Sequence, residues 1–312
     1  MNIKHKPMRI AIIDLGTNTF HLLIAETNGK NFEILYKTNE AVRLGEGKIN
    51  ENIIIPVAFN RGVETLKKFS DKITEFGVSK VKATATSAIR SAINGQDFVK
   101  EAKKQANINI DIITGEAEAG LIYEGVKLSG AIINKSLIID IGGGSVEFIL
   151  CDLEKLIWKK SYNVGAARLM QLFFNSDPLS NIDKMAILKH LENELSDLFD
   201  ICEQHLPLNL IGSAGAFETF AQLVISKKQQ NIDINTMKTY QFNFDEYIAN
   251  SIKILNATHD ERAKMPGMIP LRVDMCVMAT LITNYIMGRL KINNLSLSTY
   301  DLKMGVLAKL IN

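Results

Sequence analysis

The chain has 312 residues, 46% of them hydrophobic and 22% charged, the composition of a globular protein long enough for two domains. A formal net charge of +2 excludes a strongly basic nucleic-acid-binding face. Three scattered cysteines, Cys151, Cys202 and Cys276, exclude a disulfide framework or a cysteine metal site and fit a reducing compartment.

In chain order, "MNIKHKPMRI" leads directly into a strand without an apolar signal region. Strands are expected at 9–14, 20–26 and 32–37, then a helix over 57–77 that ends on Gly77 as its C-cap. "KVKATATSAIRSA" reads as a strand turning into a helix near 87–91, "DFVKEAKKQANI" as a helix and "IDIITG" as a strand. "EAEAGLIYEGVKLSG" reads as a helix opening on two carboxylates. Residues 61–104 hold ten Lys and Arg against five Asp and Glu. Most of these lysines fit the solvated faces of amphipathic helices, although the region can also add a positive field for an anionic substrate. After 136 the pattern repeats: strands to about 164, helices near 166–174 and 182–205, the strand "LNLIGSAG", a polar surface loop at 226–243 and further helices. The most apolar late run, 273–287, includes Asp274 and reads as a core helix and not as a membrane span. A cytoplasmic protein with no membrane or nucleic-acid partner is expected.

Two stretches carry the chemistry. "AIIDLGTNTFHLLI" (11–24) and "LIIDIGGGSVEFIL" (137–150) superpose at an offset of 126 positions, which lays Asp14 on Asp140, Gly16 on Gly142 and Thr19 on Ser145. Each is an apolar strand, Asp-x-Gly, small or polar residues, a hydroxyl and a second strand. A repeat this long points to two similar domains, and strands followed by strand–helix alternation, done twice, indicate an α/β fold duplicated around a cleft. Glycines at such turns let a phosphate approach backbone N–H groups closely. Gly16, Thr17, Asn18 and Thr19 in one copy, and Gly142, Gly143, Gly144 and Ser145 in the other, are the candidate phosphate ligands. Asp14 and Asp140 would repel phosphate unless they held a cation, so they are candidate ligands of Mg²⁺ or Mn²⁺, and Glu147, on the same side as Ser145, can join them.

Seven ordered motifs resemble the exopolyphosphatase and guanosine pentaphosphate phosphohydrolase family: "DLGTNTFHLLI", "VRLGEG", "ATSAIR", "TGEAEAGLIYEGV", "IDIGGGSVEF", "NVGAARL" and "ERAKMPGMIPLRVD". The resemblance implies the duplicated ribonuclease H-like fold of actin, the Hsp70 ATPase domain and sugar kinases. It implies a first domain over 1–125 to which a helix at 301–312 returns, a second domain over 126–300, and the short form of the family. It places the catalytic base on Glu118, whereas Glu116 is better explained by the helix dipole. Arg90 becomes a candidate clamp for a non-transferred phosphate, and Arg43 is a second such candidate. Arg262 and Arg272 flank a Pro-Gly-rich turn and can either tie it to its domain or touch substrate; His259 and Asp260 are read as structural. The chain departs from the family at Ala117 and Gly120, where an acidic residue and an arginine are usual, and at Ala216, where a threonine is usual. The loop with Gly212, Ser213 and Gly215 lies where relatives approach a nucleotide.

The expected activity is release of terminal orthophosphate from inorganic polyphosphate, with conversion of guanosine pentaphosphate to the tetraphosphate as a second reaction. Polyphosphate is favoured, because a base needs a slot that this loop does not plainly offer. A phosphotransferase of the same fold and a non-catalytic sensor of polyphosphate or guanosine tetraphosphate are the alternatives; a homodimer is compatible with any of them.

Overall fold

The computed structural model describes residues 7–213, 215–228 and 232–311. In chain order it contains β1 (Met8–Leu15), β2 (Thr19–Asn28), β3 (Asn31–Ala41), α1 (Pro56–Glu75), β4 (Lys80–Ala85), α2 (Ser87–Ser91), α3 (Gly95–Ala106), β5 (Ile110–Ile112) and α4 (Gly115–Ser129). There follow β6 (Ser136–Ile141), β7 (Val146–Cys151), β8 (Leu156–Tyr162), α5 (Ala166–Phe173), α6 (Asn181–Glu194), α7 (Ser196–His205), β9 (Asn209–Ser213) and α8 (Gly215–Lys227). The last elements are β10 (Thr239–Gln241), α9 (Phe244–Asn256), α10 (His259–Ala263), α11 (Met275–Leu290), β11 (Leu295–Ser298) and α12 (Leu302–Ile311). The chain divides into two compact units, Met1–Gly125 with Leu302–Asn312, and Val126–Asp301.

In the first unit the sheet order is β3-β2-β1-β4-β5, antiparallel from β3 to β1 and parallel from β1 to β5. Ile10, Ile12 and Ile13 on β1 are fully buried, as a continuous apolar strand demands when both faces of its sheet are covered. The second unit has the order β10-β11-β9-β6-β7-β8. Without its edge strand β10, it reads β8-β7-β6-β9-β11, with antiparallel and parallel pairings in the same places. This is a duplicated ribonuclease H-like fold. Each unit has its own hydrophobic core.

Inside the first unit, α12 crosses α4 at Gly305, where a Cβ would come within 1.8 Å of the Leu121 carbonyl oxygen. Only glycine lets the two backbones approach this closely.

Two local expectations change, and a third holds in its main form. The helix expected over 182–205 is two, α6 and α7, parted at Leu195, whose φ of −107° and ψ of 15° are not helical. Leu195 is fully buried, so packing imposes this break without a Gly or Pro to announce it. The polar stretch 226–243 is not all loop: α8 reaches Lys227, and Thr239–Gln241 pair with β11 as an antiparallel edge strand. The basic stretch 61–104 is largely neutralised where it stands: Lys67, Lys72, Lys100 and Lys104 pair with Glu64, Glu75, Asp97 and Glu101 three residues away, and Lys82 pairs with Asp111. Among the described residues, no helix is long and apolar enough to cross a membrane.

Candidate active site

The sequence repeat is a repeat of backbone geometry. Strands β1 and β2 meet with Asp14 opposite His21 and Leu15 opposite Phe20, and the Gly16 N–H donates to the Thr19 carbonyl at 3.1 Å. Strands β6 and β7 meet with Asp140 opposite Glu147, and the Gly142 N–H donates to the Ser145 carbonyl at 3.0 Å. A Cβ on Gly16 would lie 2.9 Å from the Thr19 oxygen, and one on Gly142 would lie 2.9 Å from the Ser145 oxygen. Both turns therefore need glycine for the same reason.

The segment after the third strand of each sheet docks on the turn of that sheet. After β3, the Val42 and Arg43 N–H groups donate to the Asn18 carbonyl at 3.0 and 2.8 Å, and the Gly45 N–H donates to the Thr17 carbonyl at 3.2 Å. After β8, the Ala166 N–H donates to the Gly142 carbonyl at 2.9 Å and the Ala167 N–H to the Gly143 carbonyl at 2.8 Å. Arg168 Nε donates to the Gly144 carbonyl at 2.9 Å. Close approach fixes glycine at Gly165, where a Cβ would meet the Gly143 and Gly144 backbone at 2.5 Å, whereas one on Gly45 would meet only side-chain atoms, Thr17 Cγ2 at 2.7 Å first. "VRLGEG" and "NVGAARL" are thus equivalent parts of the two repeats. Gly165 and Arg168 are not among the candidates that the sequence names, and laying the repeat on beyond its hairpins finds them.

The first unit also brings Arg90 and Glu118 together. The segment before α2 is tied to the end of β1, where the Thr86 N–H and hydroxyl both donate to the Leu15 carbonyl at 3.3 Å. Thr114 caps α4, its hydroxyl accepting from the Ala117 N–H at 3.1 Å. Glu118 in the first turn then receives Arg90 Nη1 at 2.7 Å on Oε2, and the same nitrogen donates to the Ile113 carbonyl at 3.2 Å. The two side chains are only 20% and 9% exposed, which strengthens a charge-assisted bond. Glu116 and Ala117 are exposed.

In the second unit, Glu147 is buried, and its Oε1 accepts from the Ser145 hydroxyl at 2.7 Å and the Ser161 hydroxyl at 2.6 Å. Asp140, its cross-strand partner, is half-buried on the same face. No group of three or more His, Cys, Asp or Glu able to hold a metal exists among the described residues. The donor set does not suit an all-protein cage. It suits Mg²⁺, which takes one or two carboxylates and completes its shell with water and phosphate oxygens.

The glycines of the 212–215 loop have internal explanations. A Cβ on Gly212 would fall 1.9 Å from the ring of Phe217, which is fully buried against Phe220. Gly215 has a φ of +50° and opens α8, with its carbonyl held by Arg272 Nη1. Arg272 also reaches the Thr219 hydroxyl at 3.2 Å, and Ser213 Oγ is buried without a hydrogen-bond partner among the described residues. Phe217, the aromatic residue that a base could have stacked on, belongs to the core. Arg262 is fully buried and binds Asp177 at 2.9 Å and Asp274 at 3.0 Å, and His259 Nδ1 lies 2.7 Å from Asp274. This cluster fastens loops, the structural role expected for His259.

Comparison with known proteins places the chain. A profile described as the Ppx/GppA phosphatase family matches residues 23–312. A putative exopolyphosphatase of Haemophilus influenzae is 28% identical over 302 residues, covering 96% of this chain and 91% of that protein. A guanosine-5'-triphosphate,3'-diphosphate pyrophosphatase of Pseudoalteromonas translucida is 26% identical over 96% of this chain, which spans 59% of that longer relative. The crystal structure of an exopolyphosphatase from Cytophaga hutchinsonii, 35% identical, superposes with a TM-score of 0.94 over 97% of this chain and 98% of the other.

Proposed function

The chain belongs to the Ppx/GppA phosphatase family, and on that premise we propose that it hydrolyses phosphoanhydride bonds of phosphate chains. It releases terminal orthophosphate from inorganic polyphosphate, and from the 5′ end of guanosine pentaphosphate as a second substrate. The observation that carries this reading is the twin turn, in which two Asp-x-Gly hairpins share one backbone geometry and have their carbonyls drawn away by the segment behind. Each turn presents N–H groups to a phosphate oxyanion, donors already oriented before charge moves in the transition state.

Glu118 orients the attacking water and takes its proton, a role worth roughly 10²–10⁴-fold in rate. Arg90 holds that carboxylate in place and offers its remaining N–H groups to phosphate oxygen. Asp14 and Asp140 would hold Mg²⁺ or Mn²⁺, which would neutralise charge on the phosphates. Glu147, with two hydroxyls on one oxygen, steadies Ser145 in this arrangement.

The test is phosphate release from long-chain polyphosphate and from guanosine pentaphosphate, each with and without a nucleoside diphosphate acceptor. Release that ignores the acceptor is expected. Transfer to the acceptor would make the protein a phosphotransferase, and tight binding without turnover would make it a sensor.

A further inference from the structure

We infer that Arg168, with Gly165 beneath it, is a positioning residue that aims the second phosphate turn. The inference rests on the hydrolase reading above and assigns a role to residues which that reading leaves idle. In a trans peptide the C=O and the following N–H point in opposite directions, and the only cis peptide among the described residues is Asp177–Pro178. The carbonyls of Gly142, Gly143 and Gly144 are received in succession by the Ala166 N–H, the Ala167 N–H and Arg168 Nε, at 2.9, 2.8 and 2.9 Å. The N–H groups of Gly143, Gly144 and Ser145 must then face away from α5, three in a row, which is a concavity for an anion.

The first two carbonyls are held by backbone. The third is held by a side chain, so the direction of the Ser145 N–H depends on Arg168. Its buried guanidinium also places a positive charge behind the turn. Gly165 sets the distance. With a Cβ 2.5 Å from the Gly143 and Gly144 backbone, any other residue would push α5 off the turn and release all three carbonyls together. The first unit reaches the same end differently: backbone N–H groups hold Thr17 and Asn18, and Arg61 grips the Val42 carbonyl at 2.5 Å, one layer further back. The second turn rests directly on an arginine side chain.

The experiment measures tripolyphosphate binding by calorimetry on the full chain, in a Glu118→Gln background that keeps the ligand intact. Arg168→Met removes donor and charge while keeping the aliphatic stem. Its Kd is expected to rise about tenfold or more, the loss of one charged hydrogen bond, and Arg168→Lys should recover part of it. A wild-type Kd for Arg168→Met overturns the inference. If that variant fails to fold, Arg168→Lys with labelled glycine and serine amides decides. Ligand should shift the amides of Gly143 and Gly144 as in the parent, while the Ser145 amide responds more weakly than in the parent. An unchanged Ser145 response overturns the inference equally. The two proposals fail separately: the hydrolase reading falls if the unmodified chain releases no phosphate from polyphosphate, and the positioning role falls if it does so and Arg168 makes no difference.

Discussion

Arg90 and Glu118, 28 residues apart in sequence, form an ion pair of 2.7 Å within the first unit, and each belongs to a different motif. The guanidinium fixes the carboxylate in the first turn of α4. Glu118→Gln keeps an oxygen to accept from Arg90, so the fold should persist. Turnover of polyphosphate should fall roughly 10²-fold or more, with a much smaller change in KM. Steady-state kinetics decide, and near wild-type turnover would remove Glu118 from the mechanism.

The twin carboxylates make a second expectation. Activity should vanish with a strong chelator and return with Mg²⁺ or Mn²⁺. Asp140→Asn should need more metal and recover only in part, because one anionic ligand has gone while phosphate oxygens still complete the shell. Metal titration of phosphate release reads this directly, and full activity in chelator would be fatal to it.

Gly212 tests whether its loop serves a ligand or the core. Gly212→Ala drives a methyl into the Phe217 ring, whose nearest atoms would lie at 1.9, 2.1 and 2.3 Å. A loss of roughly 1–3 kcal/mol or more is expected from overpacking, with part of it recovered when Phe217→Leu is added. KM for polyphosphate in the folded fraction should not move. Thermal unfolding of the two variants is the measurement, and unchanged stability in Gly212→Ala would sink the packing account.

His259 supplies a pH dependence. Its hydrogen bond to Asp274, and the charge of that partner, raise its pKa above the ordinary value. The stabilisation from the protonated ring is therefore complete below the unfolded value of 6.5 and is lost as pH rises through the higher folded value. Asp183 and Glu261, both lowered by hydrogen bonds, lose their contributions only on the acid side. Melting temperature should fall from neutral to mildly alkaline pH, and His259→Gln should flatten that slope. Parallel slopes would mean that the ring is uncoupled from folding.

The duplicated hairpin is legible in the sequence because its glycines and aspartates are local: each turn is made by neighbours, and the apolar strands run on both sides. Strand β11 is not. Its four residues alternate Leu with Ser, and Ser296 and Ser298 are buried by the fold around them and not by their own polarity. The Arg90–Glu118 pair is visible only as two separate residues, since nothing in either motif specifies the other. Gly165 lies in a recognisable motif, but its reason is the backbone of a different motif, some twenty residues earlier in the chain. Contacts of that kind come from topology.

The lysines of 61–104 provide the last expectation. Exposed pairs three residues apart, such as Lys67 with Glu64 at 3.0 Å and Lys100 with Asp97 at 3.4 Å, leave little net field for a long polyanion. If α1 and α3 nevertheless carried the chain, each lysine contact would release counterions. Replacing Lys67, Lys100 and Lys104 with Gln would then flatten the salt dependence of KM by about 0.7 in logarithmic slope per contact, the value for single-stranded polyanions. The local pairing predicts otherwise. The triple variant should keep both KM for long-chain polyphosphate and its salt slope, because binding is left to the backbone turns, Arg90 and the metal carboxylates. A rise in KM together with a shallower slope would return the basic helices to the substrate path.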